Sequence, residues 1–84
     1  MEIHNVLYSE YMKELQTGAW KKQLNEMSDG RYLVEVYWVP WIHEVGPTEQ
    51  REKYFSDFKD ALSFYQDLKT IAQARKRMER GADA

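Results

Sequence analysis

Histidine and cysteine, which often serve acid–base and zinc chemistry, are scarce in this chain. His43 precedes Glu44, and the only other histidine is His4, far away in the sequence. A zinc site or a hydrolase triad needs several converging groups, and this spacing supplies neither further ligands nor a nucleophile beside a base. The chain has no cysteine, which excludes thiol catalysis, disulfides and cysteine-ligated zinc. The sequence therefore predicts a protein that is not an enzyme and uses no cofactor or metal.

Aromatic residues suggest binding instead, because tryptophan and tyrosine anchor protein interfaces and also stack on nucleobases. Nine of the twelve aromatic side chains fall between residues 32 and 65, in the predicted hairpin and final helix, where many must belong to the core. Exposed apolar residues clustered at a hairpin end would need a covering partner. The candidate partner-binding or ligand-binding residues combine such aromatics with nearby polar groups: Tyr37, Trp41, His43, Arg51, Lys53 and Tyr54.

The charge balance argues against nucleic acid and the apolar runs argue against a membrane. Twelve basic and fourteen acidic residues give a net charge of −2, whereas nonspecific nucleic-acid binding depends on basic residues that neutralise phosphates. The basic cluster near the C-terminus, residues 75–80, is the composition expected at the end of a helix. The longest uncharged apolar run, residues 36–42, is too short for a signal sequence or a membrane span. We expect a cytoplasmic protein.

These side chains must be positioned by a strand over residues 32–42, YLVEVYWVPWI, in which Glu35 is the only charged residue. Side chains of a strand alternate between faces, so Val34 and Val36 face one way while Tyr37 and Trp41 face the other. Both faces are largely apolar, which is unusual for a strand with one solvated face. Either helices cover both faces, or one face is reserved for a partner.

A second strand is predicted over residues 49–56, after the turn signal Gly46-Pro47. A tight turn centred there would place Trp41 opposite Glu52, and Trp38 opposite Phe55. That register sorts the hairpin into two faces. The inner face holds Val34, Val36, Trp38 and Phe55, and the outer face holds Leu33, Tyr37, Val39, Trp41 and Tyr54.

The remaining segments are predicted to be helical. Apolar residues recur every three or four positions over residues 5–27, which indicates one helix or two short helices meeting near Gly18. A turn follows at residues 28–30, and a final helix is predicted over residues 57–80. The predicted fold is a single α+β domain over residues 1–80, with an N-terminal helix, an antiparallel β-hairpin and a C-terminal helix packed on the sheet, followed by a disordered tail at 81–84. Two strands alone are marginal, so a third strand from residues 2–7 or a second subunit's sheet is an alternative support.

The segment KYFSDFKDALSFYQDLK, residues 53–69, resembles many short phage reading frames. The whole chain, a compact acidic module with an aromatic patch, resembles the small inhibitor proteins that phages and mobile elements encode, including those that block bacterial defence systems. This resemblance implies a protein that binds and blocks a host protein. It assigns no role to any individual residue.

Two functional hypotheses follow. In the first, the outer face and the hairpin tip bind a partner protein stoichiometrically. In the second, an oligomer sequesters a nucleotide or a nucleotide-derived signal between subunits, with Trp38, Trp41 or Tyr37 stacked on the base and Arg31, Arg51 or Lys53 holding the phosphates. A third possibility is that the outer face is simply a homodimer interface.

Overall fold

The computed structural model describes residues 2–43 and 46–81. These residues form a five-stranded antiparallel sheet whose spatial order follows the chain. The strands are β1 (Ile3–Glu14), β2 (Gly18–Met27), β3 (Tyr32–Pro40), β4 (Gln50–Phe55) and β5 (Glu79–Arg80). Two helices, α1 (Phe58–Asp67) and α2 (Ile71–Arg77), lie between β4 and β5 in the chain. The class is α+β, with a larger sheet than the sequence predicted.

The prediction of an N-terminal helix over residues 5–27 is wrong, because this segment forms the β1–β2 hairpin. The supposed helical stripe is divided between the two faces of the sheet: Tyr8 contacts Tyr65 of α1, whereas Tyr11 contacts Trp41 on the opposite face. Three register shifts in β1 disrupt the two-residue alternation that identifies a strand. In β2 the charged Lys22 occupies a buried position, and this hides the alternation there.

Gly18 does not interrupt a helix but begins β2, where it pairs with Pro40. A Cβ atom at this position would lie 2.5 Å from both Cζ2 of Trp38 and the carbonyl oxygen of Val39. No larger residue fits without moving the tryptophan or the neighbouring strand. The glycine therefore permits the close approach of β2 and β3.

The predicted register of the β3–β4 hairpin is wrong by six residues, but the predicted faces are right. Phe55 lies opposite Tyr32, and Gln50 lies opposite Tyr37, because a long connection around Gly46 replaces the tight turn. A shift by an even number leaves every side chain on its original face. The prediction that Val34 and Val36 belong to the inner face is confirmed by their burial in the core.

The prediction of one continuous C-terminal helix is also wrong, because the helix is interrupted between Leu68 and Thr70. Thr70 starts α2 with a capping box: its hydroxyl accepts a hydrogen bond from the Gln73 backbone N–H, and the Gln73 side chain accepts one from the Thr70 N–H, both at 3.1 Å. After α2 the chain returns to the sheet as β5, and the Gly81 N–H donates to the Gln50 carbonyl at 2.9 Å. Residues 82–84 of the predicted tail lie outside the described residues.

The hydrophobic core lies between the inner face and the two helices. Its buried members come from β2, β3, α1, α2 and the residues that end the helices: Trp20, Leu24, Val34, Val36, Ala61, Tyr65, Leu68, Ala74 and Met78. Burial of each large apolar side chain contributes about 1.5–3 kcal/mol. Among the described residues, no helix is long and apolar enough to cross a membrane. The helices thus cover the inner face; on the outer face Ala19 and Leu33 are also buried, whereas Tyr37 and Val39 are half-buried.

Candidate binding surface

An exposed apolar cluster lies at one end of the sheet, where the β1–β2 turn meets the end of β3. We call it the aromatic corner, and it consists of four side chains that are between 43% and 56% exposed: Tyr11, Leu15, Trp41 and Ile42. The rings of Tyr11 and Trp41 meet edge to face, with centroids 5.8 Å apart and planes at 74°. Such aromatic pairs contribute about 0.5–1.5 kcal/mol beyond the area that they bury.

Hydrogen bonds fix the position of Trp41 although its ring is exposed. The indole Nε1–H donates to the Leu15 carbonyl at 3.0 Å. The Trp41 backbone N–H donates to the Thr17 carbonyl at 2.9 Å. The turn that supplies these carbonyls is itself closed by a bond from the Leu15 N–H to the Gly18 carbonyl at 2.7 Å. A side chain held in this way loses little conformational entropy when it is covered by a partner.

Tyr37 extends the surface inward from the aromatic corner. It lies opposite Lys21 of β2, which in turn lies opposite Tyr11 of β1, so the three residues form one row across the outer face. The Lys21 ammonium lies 5.5 Å from the Tyr11 ring centroid. Tyr37 is half-buried, and burial, together with the nearby Glu35 carboxylate, raises its phenolic pKa. Tyr37 therefore remains a hydrogen-bond donor near neutral pH.

A chain of hydrogen bonds leads from Tyr37 to Glu35. The Tyr37 hydroxyl donates to Gln23 Oε1 at 3.0 Å, and Gln23 Nε2 donates to Asn25 Oδ1 at 2.8 Å. Asn25 Nδ2 donates to Glu35 Oε2 at 2.5 Å, and Gln50 Nε2 donates to Glu35 Oε1 at 3.1 Å. We call these five residues the amide network. Each residue of the network donates to the next one in the direction of Glu35, whose carboxylate only accepts.

The carboxylate at the end of the amide network is buried. Glu35 is 8% exposed and Asn25 is fully buried, although the core that contains both helices lies on the other face. Burial raises the pKa of Glu35, and the nearby charge of Glu52 adds to this effect. The hydrogen bonds from Asn25 and Gln50 act in the opposite direction, because they stabilise the ionised form.

Of the six predicted binding residues, the structure brings Tyr37, Trp41 and His43 to the same end of the sheet. His43 is exposed and follows the aromatic corner directly. Tyr54 shares the outer face but lies opposite Leu33, towards the other end. There the guanidinium of Arg31 lies over its ring, with Cζ 4.2 Å from the centroid.

The two predicted cationic residues do not join this surface. Arg51 and Lys53 lie opposite Val36 and Val34, which places both on the inner face. Lys53 Nζ lies 5.5 Å from the Phe64 ring centroid. Within one subunit, Arg51 and Lys53 are therefore separated by the sheet from Tyr37 and Trp41, whereas Arg31, the third residue predicted to hold phosphates, contacts Tyr54 of the outer face.

Trp38, the other residue predicted to stack on a base, also lies on the inner face. Its ring meets that of Trp20 edge to face, with the ring centroids 5.3 Å apart.

Arg51 is bound to Glu49 at 2.8 Å, and the same carboxylate binds Arg75 at 2.9 Å. The hydrogen bonds from Arg75 are the main cause that lowers the pKa of Glu49 to about 2.

Sequence reasoning missed the contribution of β1 to this surface. Tyr11 and Leu15 were assigned to a helix, and only the sheet register shows that Tyr11 reaches Trp41. Gln23 and Asn25 were missed for the same reason. The alternation of Gln23 and Asn25 with apolar Leu24 in a short segment is a weak strand signal that could have identified them.

The groups that would carry metal chemistry do not converge. Across residues 2–43 and 46–81, no group of three or more histidine, cysteine or acidic residues is placed to hold a metal ion. The surface instead combines an exposed aromatic cluster with a buried carboxylate.

Comparisons with protein families, with curated proteins and with solved structures find no match to this chain.

Proposed function

We propose that this chain is a small non-catalytic binding protein that occupies the surface of a partner protein through the aromatic corner. The observation that carries the proposal is the state of Trp41, which is held by one hydrogen bond from its indole and one from its backbone N–H and yet is 47% exposed beside Tyr11. Tryptophan and tyrosine dominate the energetics of protein interfaces. A fixed, exposed pair of this kind is suited to insertion into an apolar pocket.

The dimensions of the molecule are compatible with this role. A standard interface buries about 800 Å² on each partner, which is roughly a seventh of the 5534 Å² of accessible surface here. The molecule measures 35 × 25 × 20 Å, so one face of the sheet has the required area. The aromatic corner would supply the anchor, and the half-buried Tyr37 and Val39 would extend the contact.

Blocking is the form of binding that we propose, on the resemblance of the chain to phage inhibitors of host defence proteins. A rigid module that covers a functional surface of its partner prevents other molecules from reaching that surface. Such a module needs no catalytic group, which suits the scarcity of histidine and the lack of cysteine. The cysteine-free composition also suits action in the cytoplasm.

Affinity capture from a host extract with matched variants tests this proposal. The wild-type chain is compared with Trp41→Ala and with Tyr54→Ala, which removes an aromatic ring from the other end of the same face. We expect a protein that is retained by wild type and Tyr54→Ala and lost from Trp41→Ala. Circular dichroism checks that all three are folded, and Ile42→Asp replaces Trp41→Ala if the latter is not.

Two outcomes contradict the proposal. Equal retention of the same proteins by wild type and Trp41→Ala would show that the corner is not the binding site. A wild-type dimer in sedimentation experiments that Ile42→Asp converts to a monomer would assign the corner to self-association instead.

A further inference from the structure

A shallow depression of about 320 Å³ lies where the connection enters β4, and it is lined by Glu35 and Tyr37 of the outer face and by Trp38 of the inner face. Pro47 and Thr48 of the connection that precedes β4 also line it. Glu49 and Gln50 also border it. The residues that line the depression thus include two aromatic residues, two acidic residues and one amide residue.

The two carboxylates differ in their partners. Glu49 is neutralised by Arg51 and Arg75, at 2.8 and 2.9 Å. Glu35 accepts one hydrogen bond on each oxygen, from the uncharged amides of Asn25 and Gln50. No cationic group in the described part of the chain pairs with it. Folding thus buries one negative charge without a counter-charge, an arrangement that is costly unless a partner supplies it.

We propose that this depression is a subsite for a guanidinium group, presented by an arginine side chain of the partner protein and paired with Glu35. The inference rests on the proposed function and specifies the chemistry of the partner. Each Glu35 oxygen keeps a free lone pair after accepting its amide hydrogen bond. A guanidinium is planar, donates in pairs to a carboxylate and stacks on aromatic rings, so Glu35 and Tyr37 together match it better than an ammonium.

Burial prepares this subsite before the partner arrives. Desolvation opposes most buried ion pairs, but Glu35 is already removed from water in the free protein. The amide network also fixes the carboxylate orientation, since both of its oxygens are held. Tyr37 lies in β3 and Trp41 directly follows the last residue of that strand, so at most four residues of extended chain separate them, or about 13 Å. The partner is therefore expected to present an arginine about this far from the apolar residue that meets the corner.

Titration with methylguanidinium tests the subsite without the partner. The side-chain NH₂ resonances of Asn25 and Gln50 are followed by NMR at pH 7, with methylurea and sodium chloride as controls of equal concentration. We expect saturable shifts with methylguanidinium alone, and their loss in Glu35→Gln. The same titration at pH 4 serves if Glu35→Gln does not fold, since Glu35 is then protonated while Glu49, with a pKa of about 2, remains ionised.

The possible results separate this inference from the proposed function. Absence of saturable shifts, equal shifts with methylurea, or equal shifts in Glu35→Gln would overturn the subsite even if Trp41→Ala abolishes capture. Methylguanidinium binding that persists in Trp41→Ala would support the subsite whatever the capture experiment shows. With a captured partner, we expect Glu35→Gln to weaken binding at least tenfold, and an unchanged affinity would overturn the assignment of the arginine.

Discussion

The two faces of the sheet each bury one charged side chain, and they treat it differently. Lys22 on the inner face is 4% exposed, and Glu35 on the outer face is 8% exposed. The Lys22 ammonium donates to the carbonyls of Tyr65 and Leu68 at 2.6 and 2.9 Å, and it pairs with Glu10 at 3.3 Å. Glu35 has only neutral amides as partners. The inner face satisfies its charge within the chain, and the outer face does not.

The tryptophans repeat this contrast. Trp20 on the inner face is 6% exposed, whereas Trp41 at the aromatic corner is 47% exposed. Both have an aromatic neighbour at an edge-to-face angle. The inner face therefore buries its tryptophan and pairs its lysine, while the outer side leaves the Trp41 ring exposed and the Glu35 carboxylate without a counter-charge. This difference is the physical basis for assigning stability to one face and binding to the other.

Truncation of Trp20 and of Trp41 should give the largest difference in the free energy of unfolding between the two faces. We expect Trp20→Ala to lower the free energy of unfolding by about 3–5 kcal/mol, because it leaves a cavity in the core. Trp41→Ala should cost only about 1 kcal/mol, the value of an exposed aromatic pair. Urea unfolding followed by circular dichroism measures both, and Trp20→Phe replaces Trp20→Ala if that variant does not fold. Equal costs would remove the distinction between the faces.

Replacement of the buried lysine should have the next largest effect. Lys22→Met keeps the volume of the side chain but leaves the Tyr65 and Leu68 carbonyls without their donor, so we expect a loss of about 2–4 kcal/mol. Lys21→Met on the outer face is the matched control and should cost about 0.5 kcal/mol, from its contact with the Tyr11 ring. Urea unfolding measures both variants. A loss below 1 kcal/mol for Lys22→Met would show that the carbonyls find other donors.

The centre of the sheet could be predicted from sequence because its pattern is local. The strand predicted over residues 32–42 is observed as β3, and the one predicted over 49–56 as β4. Two local patterns identify these strands without tertiary information. β3 has apolar side chains on both faces, and β4 is a charged segment that follows a turn signal. The assignment of Val34 and Val36 to the inner face followed from alternation alone, and it survived the error in register.

The first hairpin could not be predicted in the same way, because the information lies in contacts distant along the chain. By residue type Lys22 is expected on the surface, and only the fold shows that it binds the carbonyls of Tyr65 and Leu68. The register shifts in β1 obscure its alternation. By contrast, the sequence does contain a signal for the start of a new helix after α1, because Thr70 and Gln73 have the spacing of a capping box. The apolar residues on either side of them keep the helical spacing, and this pattern predicted one continuous helix.

The candidate surface was predictable only in part, for a similar reason. Trp41 and Tyr37 stand out by residue type within one apolar segment. Tyr11 joins them only through the pairing of β1 with β2. The partnership of Asn25 with Glu35 likewise depends on the register of β2 against β3, which no local pattern specifies.

Removal of the outer-face charge should stabilise the protein, the opposite of the Lys22 result. We expect Glu35→Gln to raise the free energy of unfolding at pH 7 by about 1 kcal/mol, because it replaces a buried carboxylate that has no counter-charge with a neutral group of the same shape. The half-buried Gln50 amide can rotate to accept a hydrogen bond from the new side chain. Urea unfolding at pH 7 measures the gain. A loss of stability would mean that the carboxylate is needed for the fold, and the contrast with Lys22 would fail.

The pH dependence of stability should separate the two carboxylates that border the depression. The pKa of Glu35 is raised, so the folded state holds its proton more tightly than the unfolded state. Its contribution is present below the ordinary value of 4.5 and is lost as the pH rises through the folded pKa. The pKa of Glu49 is lowered to about 2, so its contribution is present above 4.5 and is lost as the pH falls towards 2.

These opposite signs can be resolved with two variants measured by urea unfolding between pH 2 and pH 8 at constant ionic strength. Glu35→Gln should remove a decline in stability above pH 4.5, and Glu49→Gln should reduce the loss below it. The Glu49 effect is expected to be modest, because Arg75 is half exposed and solvent screens the pair. Glu52 and Tyr37 are the other titratable groups near Glu35, and both remain in each variant. If Glu35→Gln keeps the wild-type slope of stability against pH above pH 4.5, then burial of the Glu35 charge has no cost. Pairing with an arginine would then relieve nothing.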